Sequence, residues 1–347
     1  VKQSAIPYFD CEPEYRKANA MGNNISGDGS KIIRILDDEY SVAGSPKDAY
    51  YLSLVSPHRD EVIRVQANII SPDDVVFDIG ANIGIITLPL SRMCSKGHVY
   101  SFEPGRMAFG YLNQNIVANN IHNVETFNVA IGRVDGAMEF FESAEFGAGS
   151  FSLSDELVEY TDAYKLRPST IPVLSVDSFV RERDIRRLDF IKIDIEGDEL
   201  SALSGAEATL DKFKPRVVLE INSANLILHQ NKSPLAVIRT IMGIFDEVYS
   251  IDRGSGRLYP IQSSEDVLVF AQHNLLNGFV DNLLCAFKER SLSELSKLEL
   301  TRFQYGLEWP DEGLSHRRQV SFKDYEWLKE RYVALEKDRD YWRGRVE

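Results

Sequence analysis

Residues 75–104, VVFDIGANIGIITLPLSRMCSKGHVYSFEP, fix most of what this chain can fold into. A short apolar run at 75–77 ends in Asp78, and a second at 99–102 ends in Glu103. Between them lie a glycine turn, Gly80 to Gly84, and an apolar, helix-like segment at 85–93. Strand, glycine turn, helix and strand in that order make one βαβ unit, which predicts a parallel sheet with helices on its faces.

The turn has a chemistry of its own. Gly80 and Gly84 let the backbone approach a ligand where a Cβ would intrude. The amides at the start of the following helix offer donors and a positive dipole end. Glu103 sits at the tip of the next strand, where a carboxylate can accept both hydroxyls of a ribose. An acid about 20 residues beyond a glycine turn is the usual ribose signature. The spacing is Gly-x-x-x-Gly, not the Gly-x-Gly-x-x-Gly of pyrophosphate-binding enzymes, and no Gly-Lys-Ser/Thr follows. A nucleoside without a pyrophosphate fits better, which points to S-adenosylmethionine. A nicotinamide oxidoreductase is the poorer alternative for the same reason.

Three segments carry a family resemblance: DIGANIG at 78–84, FEP at 102–104 and KIDIEGDE at 192–199, with VDSF at 176–179 upstream. Together they resemble the FkbM-type class I methyltransferases, over residues 75 to 222 with weaker echoes to about 272. The resemblance implies methyl transfer from S-adenosylmethionine to a hydroxyl of a sugar, glycan, polysaccharide or polyketide. It implies a Rossmann-like, mostly parallel seven-stranded sheet with helices on both faces. It places Asp78, Gly80, Asn82, Gly84 and Glu103 at the cofactor, with Asn128 and Val129, after the third strand, flanking the adenine.

Residues 188–195, LDFIKIDI, form the next core strand, nearly continuously apolar as in a strand buried on both faces. It leads into Asp194, Glu196 and a turn at Gly197. A further strand at 216–221 brings Glu220 and Asn222 to its end. Ligands bind beyond the carboxyl ends of parallel strands, so Asp78, Glu103, Asp194 and Glu220 are expected along one rim. Methyl transfer to oxygen needs an aligned acceptor and a proton acceptor. Asp194 or Glu196 is the candidate base, Asp194 also being a cofactor-site candidate. His229 and His58 are weaker base candidates. An oxygen-ligand site for Mg²⁺ built from Asp194, Glu220 and Asn222 is a less favoured alternative.

The rest of the chain frames this unit. A polar, Gly/Asn/Ser-rich lead-in precedes a hairpin (31–36 and 39–42) and two helices (49–55 and 60–70), giving a leader over 1–70. Helices are expected at 107–120, 199–213 and 233–245, and strands at 246–252, 257–261 and 267–271, the last closing a methyltransferase domain at 71–274. A flexible turn is expected at 145–150, EFGAGS. Beyond 275, the spacing of Leu283, Phe287, Leu292 and Leu295 predicts a helix. Tyr325, Leu328, Tyr332, Leu335, Arg339, Trp342 and Val346 step by three and four, as in a coiled coil that would carry homo-oligomerisation or a scaffolding role.

A net charge of −14 disfavours a nucleic-acid surface. Cys11, Cys94 and Cys285 have no metal-ligand spacing, so free thiols in the cytoplasm are expected. No apolar run of about 18 residues is present to span a membrane.

Overall fold

The computed structural model describes residues 30–143, 166–228, 230–276 and 278–292. The lead-in to residue 29, the 145–150 turn, His229, Cys11 and the 325–346 heptad pattern lie outside these residues.

The leader supplies an antiparallel hairpin, β1 (Lys31–Ile35) and β2 (Asp38–Val42), then α1 (Ala49–Ser53) and α2 (Glu61–Ile69). The βαβ unit follows as β3 (Val75–Ile79), α3 (Thr87–Met93) and β4 (His98–Phe102), continuing through α4 (Arg106–Ala118) to β5 (Val124–Phe127). Next come β6 (Ala130–Ile131), β7 (Gly136–Ser143), β8 (Leu166–Leu174), α5 (Val176–Glu182), β9 (Phe190–Ile193), α6 (Glu199–Ser204), α7 (Glu207–Phe213) and β10 (Arg216–Asn222). The described chain closes with α8 (Ser223–Leu228), α9 (Pro234–Ile244), β11 (Glu247–Ile251), β12 (Leu258–Pro260), α10 (Ser264–Leu276) and β13 (Val280–Ala286).

The main sheet runs β12-β11-β13-β10-β9-β3-β4-β5. The five strands from β10 to β5 are parallel; β13 pairs antiparallel with both β10 and β11, and β12 pairs antiparallel with β11. This is a doubly wound, Rossmann-like sheet with an antiparallel end. It has eight strands rather than the expected seven, because the three-residue β12 adds an edge. From β3 the chain winds outward through β4 and β5, then returns to the other side of β3 as β9. The order therefore reverses between β3 and β9, where such sheets bind ligands.

Alternation along the strands divides the core. Phe77, Ile79, Ile191, Ile193, Val217 and Leu219 face α5, α6, α7, α9 and α10. Val76, Val99, Phe190 and Val218 face the other way, toward Val62, Val65 and Ile69 of α2. The described part of the leader packs against the βαβ unit: Ile33, Tyr40, Val42 and Tyr51 share one apolar cluster with Ile83, Leu88 and Leu112. The buried Asn115 of α4 reinforces that junction. Its side chain bonds the Ala43 amide at 2.7 Å and donates to the Ile83 carbonyl at 2.8 Å, tying the leader to the glycine turn.

Two expectations fail at the C-terminal side. Residues 267–271 are helical, within α10, not a strand. Residues 280–286 form β13, not a helix, and pair between β10 and β11. The sheet therefore extends past the expected boundary at 274. The 199–213 helix is broken into α6 and α7 at Gly205, where a Cβ would fall 2.1 Å from the Gly132 carbonyl oxygen. A smaller sheet, β6-β8-β7, stands beside the main one, with β7 and β8 antiparallel over eight residue pairs.

Candidate active site

A cavity of about 440 Å³ opens at the carboxyl ends of β3, β4, β9 and β10. That is within the range of roughly 300–1,000 Å³ typical of small-molecule sites. Its floor is the glycine turn. Gly80 is left-handed (φ 81°), and a Cβ on it would stand 1.8 Å from the Asp194 carbonyl oxygen. The amides of Gly80 and Ala81 donate to the Phe102 carbonyl, so the turn is fastened to β4. Asn82 is also left-handed, at φ 50°, unusual for a residue with a side chain. Its amide is held by Glu103, whose Oε2 accepts it at 2.8 Å while Oε1 accepts the Gly105 amide at 2.7 Å. Burial pushes the Glu103 carboxyl up to about 7, against the pull of those two amides.

Of the expected cofactor residues, Gly80, Asn82, Glu103, Val129 and Asp194 line this cavity. Asp78, Gly84 and Asn128 do not. Asp78 is fully buried, accepting the Thr87 hydroxyl at 2.6 Å. Gly84 is left-handed (φ 97°) and packs under Leu112. Asn128 stands one step behind the site, its amide donating to the carbonyls of Glu103 and Pro104 at 2.8 and 2.9 Å. Phe102, Ile131, Met138 and Phe140 add an apolar wall.

The opposite end of the cavity is acidic. Asp194, Glu196 and Glu220 each bring a carboxylate oxygen to within 4.8 Å of the others. Glu196 is left-handed (φ 60°) ahead of Gly197 and accepts the side-chain amides of Asn222 and Asn225. Burial raises its pKa, and the neighbouring Asp194 charge adds to the shift. Burial also raises Glu220, helped by Asp194 and Glu196. Asn222, named in the Mg²⁺ alternative, is thus engaged with Glu196.

Tyr50 and Lys192 are among the lining residues that escaped the sequence reading. Tyr50 reaches the cavity from α1. Lys192 lies inside β9, only 5% exposed, with Nζ 3.1 Å from Asp194 and 3.7 Å from Asp78. Burial alone would lower its pKa, but Asp194 and Asp78 outweigh that and hold it above the ordinary lysine value. A lysine in an apolar run between acids is the signal that could have found it. His58 is hydrogen-bonded through its backbone to Arg34 and does not line the cavity.

S-adenosylmethionine fits these residues by chemistry. A strand-end carboxylate, a close-approach turn and an apolar wall suit a nucleoside, and carboxylates suit a sulfonium cation. Among the described residues no helix is long and apolar enough to cross a membrane. Cys94 and Cys285 are buried free thiols.

Residues 78–239 match the model of the methyltransferase FkbM domain. The chain is 25% identical over 204 residues to the 2-O-methyltransferase NoeI of Sinorhizobium fredii, covering 55% of this chain and 82% of that protein. It is 27% identical over 164 residues to the hexuronic acid methyltransferase AglP of Haloferax volcanii, covering 47% and 62%. It is 25% identical over 227 residues to the 31-O-demethyl-FK506 methyltransferase FkbM of Streptomyces tacrolimicus, covering 57% and 76%. With a doubly wound sheet, a glycine turn clamped by a strand-end glutamate and a rim of carboxylates, residues 78–239 of this chain carry the methyltransferase domain of the S-adenosylmethionine-dependent FkbM type.

Proposed function

We propose that this protein is an O-methyltransferase that modifies a hydroxyl of a sugar, glycan or polysaccharide. The observation that carries the reading is the meeting of Glu103, Asp194 and Glu196 in one cavity, with the glycine turn between the first and the other two. Bound S-adenosylmethionine supplies an electrophilic methyl group on a sulfonium, which leaves as a neutral thioether. Gly80, Asn82 and Glu103 hold the nucleoside, and Val129 with the apolar wall receives the base.

The acceptor hydroxyl needs its proton taken as the new carbon–oxygen bond forms. Glu196 is suited to that. Its carboxylate is oriented by the Asn222 and Asn225 amides, and burial beside the Asp194 charge raises its pKa above that of an ordinary glutamate, which suits a proton acceptor. Asp194 stands beside it and fixes the rim. The carboxylates can also accept hydroxyl hydrogen bonds from a polyol. The NoeI and AglP names, a 2-O-methyltransferase and a hexuronic acid methyltransferase, support a hydroxyl-bearing acceptor.

The test is transfer of a radiolabelled methyl group from S-adenosylmethionine to a panel of neutral hexosides, hexuronic acids and amino sugars. Alkali-stable label on a sugar oxygen is the expected result. Alkali-labile label marks a carboxylate ester and label on nitrogen marks an amine; either would displace the ether-forming reading.

A further inference from the structure

We propose that Lys192 is a positioning residue of the cofactor site, a buried ammonium that ties the glycine turn after β3 to the rim carboxylate of Asp194. The proposal rests on the S-adenosylmethionine reading above.

The register puts Lys192 directly beside Asp78 on the neighbouring strand, on the sheet face that otherwise carries Val76, Phe190 and Val218. An ammonium there is costly, since burying a charge forfeits several kcal/mol of hydration. Well-packed apolar residues often serve stability as well as a buried ion pair does. What the charge accomplishes is connection. Nζ donates to the Gly80 carbonyl at 3.1 Å, lies 3.1 Å from Asp194 Oδ2 and 3.7 Å from Asp78 Oδ1. Gly80 and Asp194 already abut through their backbones, and the Asp194 amide donates to the Ile79 carbonyl at 3.0 Å. Lys192 adds the side-chain link, so the turn and the rim acid move as one unit.

Asp78 serves from behind. One of its oxygens takes the Thr87 hydroxyl, while the other has no hydrogen bond and faces the lysine. Lys192 is also the only cation among the described residues lining the cavity, against carboxylates from β4, β10 and the turn after β9. It therefore offsets a charge concentration that would push Asp194 away from the turn.

The experiment is calorimetric titration of S-adenosylhomocysteine and S-adenosylmethionine, with thermal unfolding measured alongside. Lys192→Met alone leaves Asp78 buried without its cation and is expected to unfold early. Lys192→Met with Asp78→Asn removes both buried charges, and its unfolding temperature should return close to that of the wild type. If Lys192 positions the site, S-adenosylhomocysteine still binds this double variant roughly tenfold or more weakly, the loss of a charge-assisted hydrogen bond. Asp194→Asn, at the partly exposed rim, should lose a similar factor, and adding Lys192→Met and Asp78→Asn to it should lose little more. A folded double variant that binds within about twofold of wild type overturns the proposal, as does full affinity in Asp194→Asn. A folded wild-type protein that ignores both nucleosides overturns the cofactor reading and this proposal with it, before any variant is compared.

Discussion

The Glu103 carboxylate accepts the backbone amide of Asn82 at 2.8 Å, bracing a left-handed asparagine at the floor of the cavity. Its other oxygen takes the Gly105 amide at the start of α4. Glu103→Ala breaks both, and each hydrogen bond to a charged group is worth about 1.5–3 kcal/mol. Calorimetry should show S-adenosylhomocysteine binding weakened by roughly tenfold or more, and denaturant titration should show a less stable turn. Unchanged affinity in a folded Glu103→Ala protein would remove this residue from the cofactor site.

The division of labour between the rim acids is separable. Glu196→Gln keeps the hydrogen-bonding shape but cannot take a proton. Turnover should fall by roughly 10²–10⁴-fold, the usual worth of a positioned base. S-adenosylhomocysteine affinity should stay within a few-fold of wild type. Asp194→Asn should instead weaken cofactor binding. The reverse pattern would transfer the base role to Asp194.

Stability should fall as pH rises through neutrality. Burial pushes Glu103 and Glu199 up to about 7, and Glu199 is only 1% exposed. Glutamate in the unfolded chain titrates near 4.3, so between roughly 4.3 and 7 the folded protein holds more protons than the unfolded one. That contribution is fully present below the unfolded value and lost as pH passes the folded one. Denaturant unfolding near pH 5 and near pH 8 should differ by at most about a few kcal/mol, with the higher pH less stable. Glu199→Gln should flatten the slope; an unchanged slope would clear Glu199 of any part in it.

At the opposite, amino end of the sheet, Asp189 is a buried junction. Its Oδ2 accepts the Val75 amide at 2.9 Å and lies 2.6 Å from Arg187, and its Oδ1 lies 2.7 Å from Arg290. Breaking a buried pair by removing one partner costs about 3–5 kcal/mol. Asp189→Ala should lose that much in equilibrium unfolding. A loss below about 1 kcal/mol would mean the arginines are satisfied elsewhere.

The βαβ unit and its turn were legible because glycine spacing and strand-end acids are local signals. The placement of Glu103, Asp194, Glu196 and Glu220 at one cavity follows from them, while the hairpin at 31–42 was legible from its own strand pattern and turn. The C-terminal half was harder. Residues 267–271, VLVFA, are apolar without a period, and such a run does not distinguish a strand from a buried helix. The overlooked cue is the Ser263–Asp266 pair. The Asp266 carboxylate accepts the Ser263 amide, and the Ser263 hydroxyl accepts the Asp266 amide, a reciprocal helix cap. The helical spacing of Leu283, Phe287 and Leu292 was accidental, crossing from β13 into the segment after it. Asp78 and Asn128 were expected at the ligand from motif position alone. Whether a side chain meets the cavity or stands behind it depends on strand register, which spacing does not reveal.

The placement of β13 bears on how the chain is made. It inserts between β10 and β11, both of which precede it in sequence. During synthesis, the flank of β10 that β13 will cover stays unpaired until residue 286 has cleared the ribosome. An open parallel edge of this kind is a template for pairing with other chains. A nascent chain paused before residue 280 would carry the glycine turn and every rim carboxylate, yet its sheet would stay open beside the strand that bears Glu220.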